Sequence, residues 1–192
     1  DFEHSVTIDK QYLLDVLDIQ KSIQADFIAS EYRKKFFISA DNHDIINPQL
    51  FGVDKITNKM TLDITKITEN PNGLLMQTHH EDKYALADEM RKYFNHEIEI
   101  DSWGGPLNIL EFSPKGINKA YALNYLLKTL NMGREDLIAF GDEHNDTEML
   151  AFAGTGYAMK NASNVLLPFA DKQTDFTNEE DGVAKELAKI FL

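Results

Sequence analysis

The sequence predicts an α/β protein in two parts: a C-terminal parallel sheet with flanking helices, preceded by a larger α+β unit with a mostly antiparallel sheet. Three observations predict it. After Phe112, strand-like and helical stretches alternate, as they do when strands run parallel. Before Phe112, hairpin signals replace strict alternation. Residues 137–150 read as a short buried strand, an acidic turn and a helix in that order, which places carboxylates at the C-terminal edge of a sheet. Open α/β sheets bind ligands at that edge.

Taken in order, residues 9–24 predict an amphipathic helix capped by Asp9, with Tyr12, Val16, Ile19 and Ile23 on one stripe and Leu13 and Leu17 broadening it. Residues 25–30 and 36–39 are strand-like runs around Arg33-Lys34-Lys35, followed by a loop through Asn42, His43, Asp44, Asn47 and Pro48. Residues 61–65 alternate, with Leu62 and Ile64 on one face, and predict a half-buried strand. Asn70-Pro-Asn-Gly73 is a turn leading into a strand over 74–78. A helix over 82–94 follows, with Leu86, Met90 and Tyr93 in register. Residues 97–101 and 107–112 then flank Trp103-Gly-Gly-Pro106 as an antiparallel hairpin.

The turn Ser113-Pro-Lys-Gly116 marks a change of style, and a domain boundary is expected there, giving units 1–112 and 113–192. A helix over 118–130 closes at Asn131 and Gly133. The strand at 137–140 and its helix come next, with Met149, Leu150 and Ala153 on one side and Gly154 ending it. Further strands are expected at 155–159 and 172–174, and a final helix from Gly182 carries Val183, Leu187 and Ile190 on one stripe.

A chain of 192 residues is long enough for two small cores. The net charge of −13 argues against nucleic acid or an anionic membrane as partner, since both call for a basic face. No apolar run reaches membrane-spanning length, and no secretory signal is visible. The lack of cysteine excludes disulfides and thiolate chemistry and fits a cytoplasmic location. The first residue is Asp1 rather than Met, which implies that the true N-terminus lies elsewhere.

Four residues carry the candidate chemistry. Asp142 directly follows Gly141 at the end of a strand, where a carboxylate can hold a hard cation such as magnesium. Asp146 and Asn145 admit two readings: ligand contact, or helix capping in which Asn145 and Glu148 form a capping box. Lys119 lies in the first turn of a helix, where the macrodipole disfavours a cation unless an anion binds there. Lys115 competes for that role from an exposed turn, and His79, His80, Trp103 and Asn178 read as structural or solvated positions.

Together these residues resemble the haloacid dehalogenase superfamily and, within it, the Cof-type phosphatases. The strand, Gly-Asp-x-x-Asn-Asp and Met-Leu helix of that family look like Phe140-Gly-Asp-Glu-His-Asn-Asp-Thr-Glu-Met-Leu150. Its lysine motif looks like Gly116-Ile-Asn-Lys119, and Ala158-Met-Lys-Asn-Ala162 and Asn178-Glu-Glu-Asp-Gly-Val183 are also similar to family stretches. The resemblance implies the C-terminal part of a Rossmann-like core (113–192), a parallel sheet with flanking helices, plus a large α+β cap domain (1–112). It implies a magnesium-dependent hydrolase acting on small phosphorylated metabolites such as sugar phosphates. In that reading Asp142 is the metal ligand, Asp146 supports the metal site and orients Lys119, Lys119 neutralises the transferring phosphoryl group, and Asn145 contacts the substrate phosphate.

The family's nucleophile motif, Asp-x-Asp-Gly after a first core strand, has no counterpart in this sequence; Asp41-Asn-His-Asp44 has the wrong spacing. The resemblance therefore implies a missing N-terminal core segment, a chain inactive by itself, and an exposed apolar edge at the strand over 137–140. Pro168 also interrupts a stretch, 164–170, that is a more regular helix in relatives. The alternative is a non-catalytic protein of cap and half core that binds a phosphorylated ligand or a partner.

Overall fold

The computed structural model describes residues 4–40 and 43–192; Asp41 and Asn42, half of the Asp41-Asn-His-Asp44 stretch, lie outside the described residues. The chain divides into two compact units, Asp1–Gly116 and Ile117–Leu192. No described helix is long and apolar enough to cross a membrane.

The first unit is built on five antiparallel strands: β1 (Ala25–Tyr32), β2 (Lys35–Ala40), β3 (Gly73–Thr78), β4 (Ile98–Ser102) and β5 (Ile109–Pro114), in the order β2-β1-β3-β5-β4. Their period-2 alternation divides the apolar residues between two faces. Ile28, Leu74, Met76, Leu110 and Phe112 pack beneath two helices, α1 (Lys10–Ile19) and α2 (Lys83–Tyr93), which contribute Leu13, Val16, Leu86 and Met90. Phe27, Ala29, Ile38, Leu75 and Ile109 face the other way and are covered by Ile46, Leu50, Phe51 and Ile56 of the long β2–β3 connection.

Three expectations are corrected here. Helix α1 stops at Ile19 rather than residue 24, because residues 20–24 turn sharply into β1, with Gln24 at a φ of 53°. Ile23 still reaches the core, from the turn. Residues 61–65 form no strand: Thr61 makes a single bridge to Ile38, and Asp63 then nucleates a short 3-10 turn by accepting the Thr65 N–H. Ile64, expected on a buried face, is exposed. In α2, Tyr93 points outward and Phe94, just past the helix, fills the core place assigned to it. The Asp9 carboxylate caps α1 as expected, and the structure adds a cap on α2 from the Asp82 carboxylate.

Lys83, at the start of α2, is buried to 6% exposure. Its ammonium donates to the carbonyl oxygens of Trp103, Gly105 and Leu107 at 2.6, 2.9 and 2.9 Å, so the β4–β5 hairpin tip is tied to the helix through main-chain atoms. Lys83→Met keeps the aliphatic stem and removes the charge-assisted bonds. Each such bond is worth roughly 1.5–3 kcal/mol net, offset in part by the cost of burying the ammonium. Urea unfolding is expected to show a loss of about 2 kcal/mol; an unchanged midpoint would show that the tip holds itself.

Glu31 on β1 pairs with Gly73 of β3, and Glu111 on β5 pairs with Leu75 of the same strand. Partial burial of the Glu31 carboxyl, and secondarily repulsion from Glu111, push its pKa upward. A carboxyl raised in the folded state weakens folding once it ionises, and the penalty disappears below the unfolded pKa. Glu31→Gln is therefore expected to raise Tm at pH 7 and to give no advantage below pH 4.5, the ordinary value for the group. An equal gain at both pH values would rule out the ionisation argument.

In the second unit, α3 (Lys119–Leu130) precedes a parallel sheet of β6 (Ile138–Gly141), β7 (Thr155–Ala158) and β8 (Lys172–Gln173), in the order β6-β7-β8. Helix α4 (Thr147–Phe152) connects β6 to β7, and α5 (Gly182–Phe191) ends the chain. Leu150 and Ala153 of the α4 region pack with Ala139, Ala158 and Leu166 as the core of this unit. The break between units falls later than residue 113, because Ser113 and Pro114 complete β5 by pairing with Glu99 and Ile98. β6 forms one edge of the described sheet, with Ile138 and Phe140 half-buried. The stripe expected to bury α5 stays partly open, with Val183 and Ile190 exposed, and Pro168 sits in a single 3-10 turn, Leu167–Phe169.

Candidate active site

The acidic turn is built by the sheet edge and by one carboxylate. Parallel pairing sets Gly141 opposite Ala158, so the segments after β6 and β7 leave from the same edge. They are joined there: the Met159 N–H donates to the Gly141 carbonyl at 2.8 Å and the Ser163 N–H to the Asp142 carbonyl at 2.9 Å. Asp146, buried to 4% exposure, turns back into the loop. Its Oδ2 accepts the backbone N–H groups of Asp142 at 3.0 Å and Glu143 at 3.3 Å. Its Oδ1 accepts from the Lys119 ammonium, whose side chain is 47% exposed. One carboxylate thus closes the turn and fixes a cation.

Lys119 is delivered by α3. The Asn118 side chain caps that helix by accepting the Tyr121 N–H at 3.0 Å, which leaves Lys119 at the first helical position. An ammonium there lies against the positive end of the helix, and the Asp146 carboxylate offsets that repulsion. Together they form an electropositive spot held from below by a buried anion and open to solvent above.

The capping reading of this segment is realised differently from the spacing Asn145 to Glu148. Asp146 makes no side-chain cap on α4, and no cap bond from Asn145 to that helix is formed. The half-buried side chains of Asp142 and Asn145 accept and donate no hydrogen bond among the described residues, so both remain available at the surface of the turn. The other candidates are engaged structurally. The Lys115 ammonium donates to the His96 carbonyl at 2.6 Å, Trp103 Nε1 donates to Glu111 at 3.0 Å, and His79 pairs with Asp26 at 2.8 Å.

No three metal-binding side chains cluster among the described residues. The donor set suits a hard cation only in part: Asp142 offers an uncommitted carboxylate, while both oxygens of Asp146 are taken. Magnesium is commonly held by one or two carboxylates together with water and substrate phosphate, so one free carboxylate is compatible with it.

Sequence reasoning missed why Gly141 must be glycine. A Cβ there would lie 2.5 Å from Asp146 Cβ and 2.8 Å from its carboxyl carbon, although the backbone itself asks for nothing special. The signal was a glycine ending a strand directly before the acids. Gly141→Ala is expected to push Asp146 off its two N–H donors and to destabilise the unit by about 2 kcal/mol, as overpacking does. Thermal unfolding checks it, and a wild-type Tm would refute the steric argument. The role of Ala158-Met-Lys-Asn-Ala162 was also not legible: it clamps the acidic turn through the main-chain bonds of Met159 and, one residue beyond, Ser163.

This strand, acidic turn and lysine-bearing helix fall within a match to the family model of haloacid dehalogenase-like hydrolases that runs over residues 2–187. The chain belongs to this family. Among curated proteins, it is 37% identical over 123 residues to the 5-amino-6-(5-phospho-D-ribitylamino)uracil phosphatase YitU of Bacillus subtilis (strain 168), covering 64% of this chain and 45% of that protein. It is 45% identical over 102 residues to a second Bacillus subtilis phosphatase of the same description, YcsE, covering 53% of this chain and 39% of that one. The matched segments thus span less than half the length of these relatives. A crystal structure of a haloacid dehalogenase-like hydrolase from Bacteroides thetaiotaomicron superposes with a TM-score of 0.70 at 27% identity, over 100% of this chain and 70% of that one. The α/β architecture, with its parallel sheet and flanking helices, is that of the family.

Proposed function

We propose that this chain carries part of the active site of a magnesium-dependent phosphatase acting on small phosphorylated metabolites. The observation that bears most weight is the Lys119–Asp146 pair, in which a buried carboxylate with two backbone donors holds a half-exposed ammonium at a helix N-terminus. Phosphoryl transfer depends mainly on positioning and on cancelling charge at the equatorial oxygens, and a fixed cation supplies both. In this reading Lys119 meets the phosphoryl group, Asn145 donates to a phosphate oxygen, Asp142 holds magnesium and Asp146 orients Lys119. When bound, the metal adds further positive charge at the phosphate. Asp142 and Asn145 serve because their side chains are left uncommitted by the turn that carries them. No residue of this sequence is assigned as the nucleophile, and the site contributes the charge-neutralising half of the chemistry.

The division into Asp1–Gly116 and Ile117–Leu192 supports reading the first unit as the cap that selects substrate and the second as part of the catalytic core. The Bacillus relatives are named for a phosphate ester on a ribityl chain, which falls in the proposed substrate class. The test is hydrolysis of p-nitrophenyl phosphate by the product of the whole open reading frame, with and without magnesium. Turnover that requires magnesium and Lys119 is expected. Phosphate binding without turnover would replace this reading with the non-catalytic one.

A further inference from the structure

The first unit holds a second feature that is independent of the active-site reading. Between the β1–β2 turn and the segment that runs from Asn58 to Asn72 lies an open groove of about 940 Å³. That volume is in the range of small-molecule sites, roughly 300–1,000 Å³. Its charge is opposite to that of the protein. The sequence carries 32 acidic against 19 basic residues, yet Arg33, Lys34, Lys35, Lys59 and Lys66 line the groove against only Asp63 and Glu69. Lys66 and Asp63 neutralise each other at 2.8 Å. The ammonium groups of Lys34, Lys35 and Lys59 form no ion pair with a described residue.

The β1–β2 turn that presents Lys34 and Lys35 is fixed in place, while Lys59 comes from the 3-10 turn Asn58–Met60. Arg33 sits at a φ of 51°, and its backbone N–H donates to Asn72 Oδ1 at 2.7 Å. The amide nitrogen of Asn72 donates in turn to Ser5 Oγ at 2.8 Å and to the Val6 carbonyl at 2.7 Å, while the Asn72 N–H donates to the Glu31 carbonyl at 2.7 Å. One asparagine therefore ties the turn, the start of β3 and the N-terminal segment together. Neighbouring like charges on a fixed turn repel each other until an anion arrives, and fixing them beforehand removes ordering entropy from the binding step. The groove also has an apolar wall: half-buried Tyr32 and Phe37 form an edge-to-face pair with centroids 5.8 Å apart, continued by Leu62 and Ile67. Cations beside an aromatic and aliphatic wall match a ligand with several negative charges at one end and a flat ring at the other.

We propose that this groove binds a nucleoside polyphosphate, with its phosphates on Lys34, Lys35 and Lys59 and its base against Tyr32 and Phe37. The test is titration calorimetry with ATP in excess EDTA, which removes the metal from any competing site, using tripolyphosphate as the ligand without a base. ATP is expected to bind the wild type more tightly than tripolyphosphate does. The triple variant Lys34→Glu/Lys35→Glu/Lys59→Glu is expected to weaken ATP at least about tenfold. Because these side chains are exposed, Tm should change little; the triple Gln variant gives the same reading should the reversal perturb folding. Lys119→Met is expected to leave ATP binding in EDTA unchanged, which separates the groove from the second unit. Absence of ATP binding, equal affinity for tripolyphosphate, indifference to the charge reversal, or loss of binding in Lys119→Met would each overturn the proposal.

Discussion

Replacing Asp146 with alanine is expected to lower stability by about 3 kcal/mol and, on the proposed function, to abolish phosphatase turnover as well. The carboxylate is buried, and three donors converge on it: two main-chain N–H groups and the Lys119 ammonium. Alanine leaves the Asp142 and Glu143 N–H groups without their acceptor at the point where the chain leaves β6. Most of the cost comes from those two, since the lysine can return to water. Chemical denaturation read beside p-nitrophenyl phosphate hydrolysis checks both halves. A variant with wild-type stability would show that the turn does not depend on this carboxylate.

Lys119→Met is expected to separate the two effects. Its side chain is 47% exposed, and a pair open to solvent on one side contributes about 1 kcal/mol or less to folding. With methionine in place Asp146 keeps both backbone donors, so the turn should survive and Tm should change little. On the proposed reading the phosphoryl group loses a fixed positive charge, an effect that typically costs about 10²–10³ in rate. The comparison with Asp146→Ala is the informative one: the proposal makes one partner scaffold and reagent holder and the other reagent only. Comparable losses of stability in both variants would contradict this division.

The local signals in this chain were legible where residues close in sequence decide the outcome. Asp9 could be read as a cap because a cap acts within three residues, and its carboxylate accepts the Gln11 N–H. Lys119 stood out because a lysine at a helix start conflicts with local propensity unless something uses it, and Asp142 because a carboxylate directly after a strand-ending glycine precedes the helix it would otherwise cap. What failed depended on distant partners. Residues 61–65 have the alternation of a strand, yet β2 offers Thr61 only one bridge, so the segment curls instead. Tyr93 fits the helical stripe of α2, but the place beneath it is filled by Phe94 from beyond the helix end, which packs edge-on with Tyr12. The demand for glycine at position 141 comes from a side chain five residues on that folds back, and no periodicity encodes that.

The Lys83 ammonium touches carbonyl oxygens at alternate positions of the β4–β5 hairpin and no side chain there. It therefore reads the path of the chain and ignores its spelling. Apart from Gly105, whose φ of 73° restricts the choice, residues at the tip can be exchanged without breaking the tether. A loop fastened in this way can be rewritten, residue by residue, while its outline stays the same.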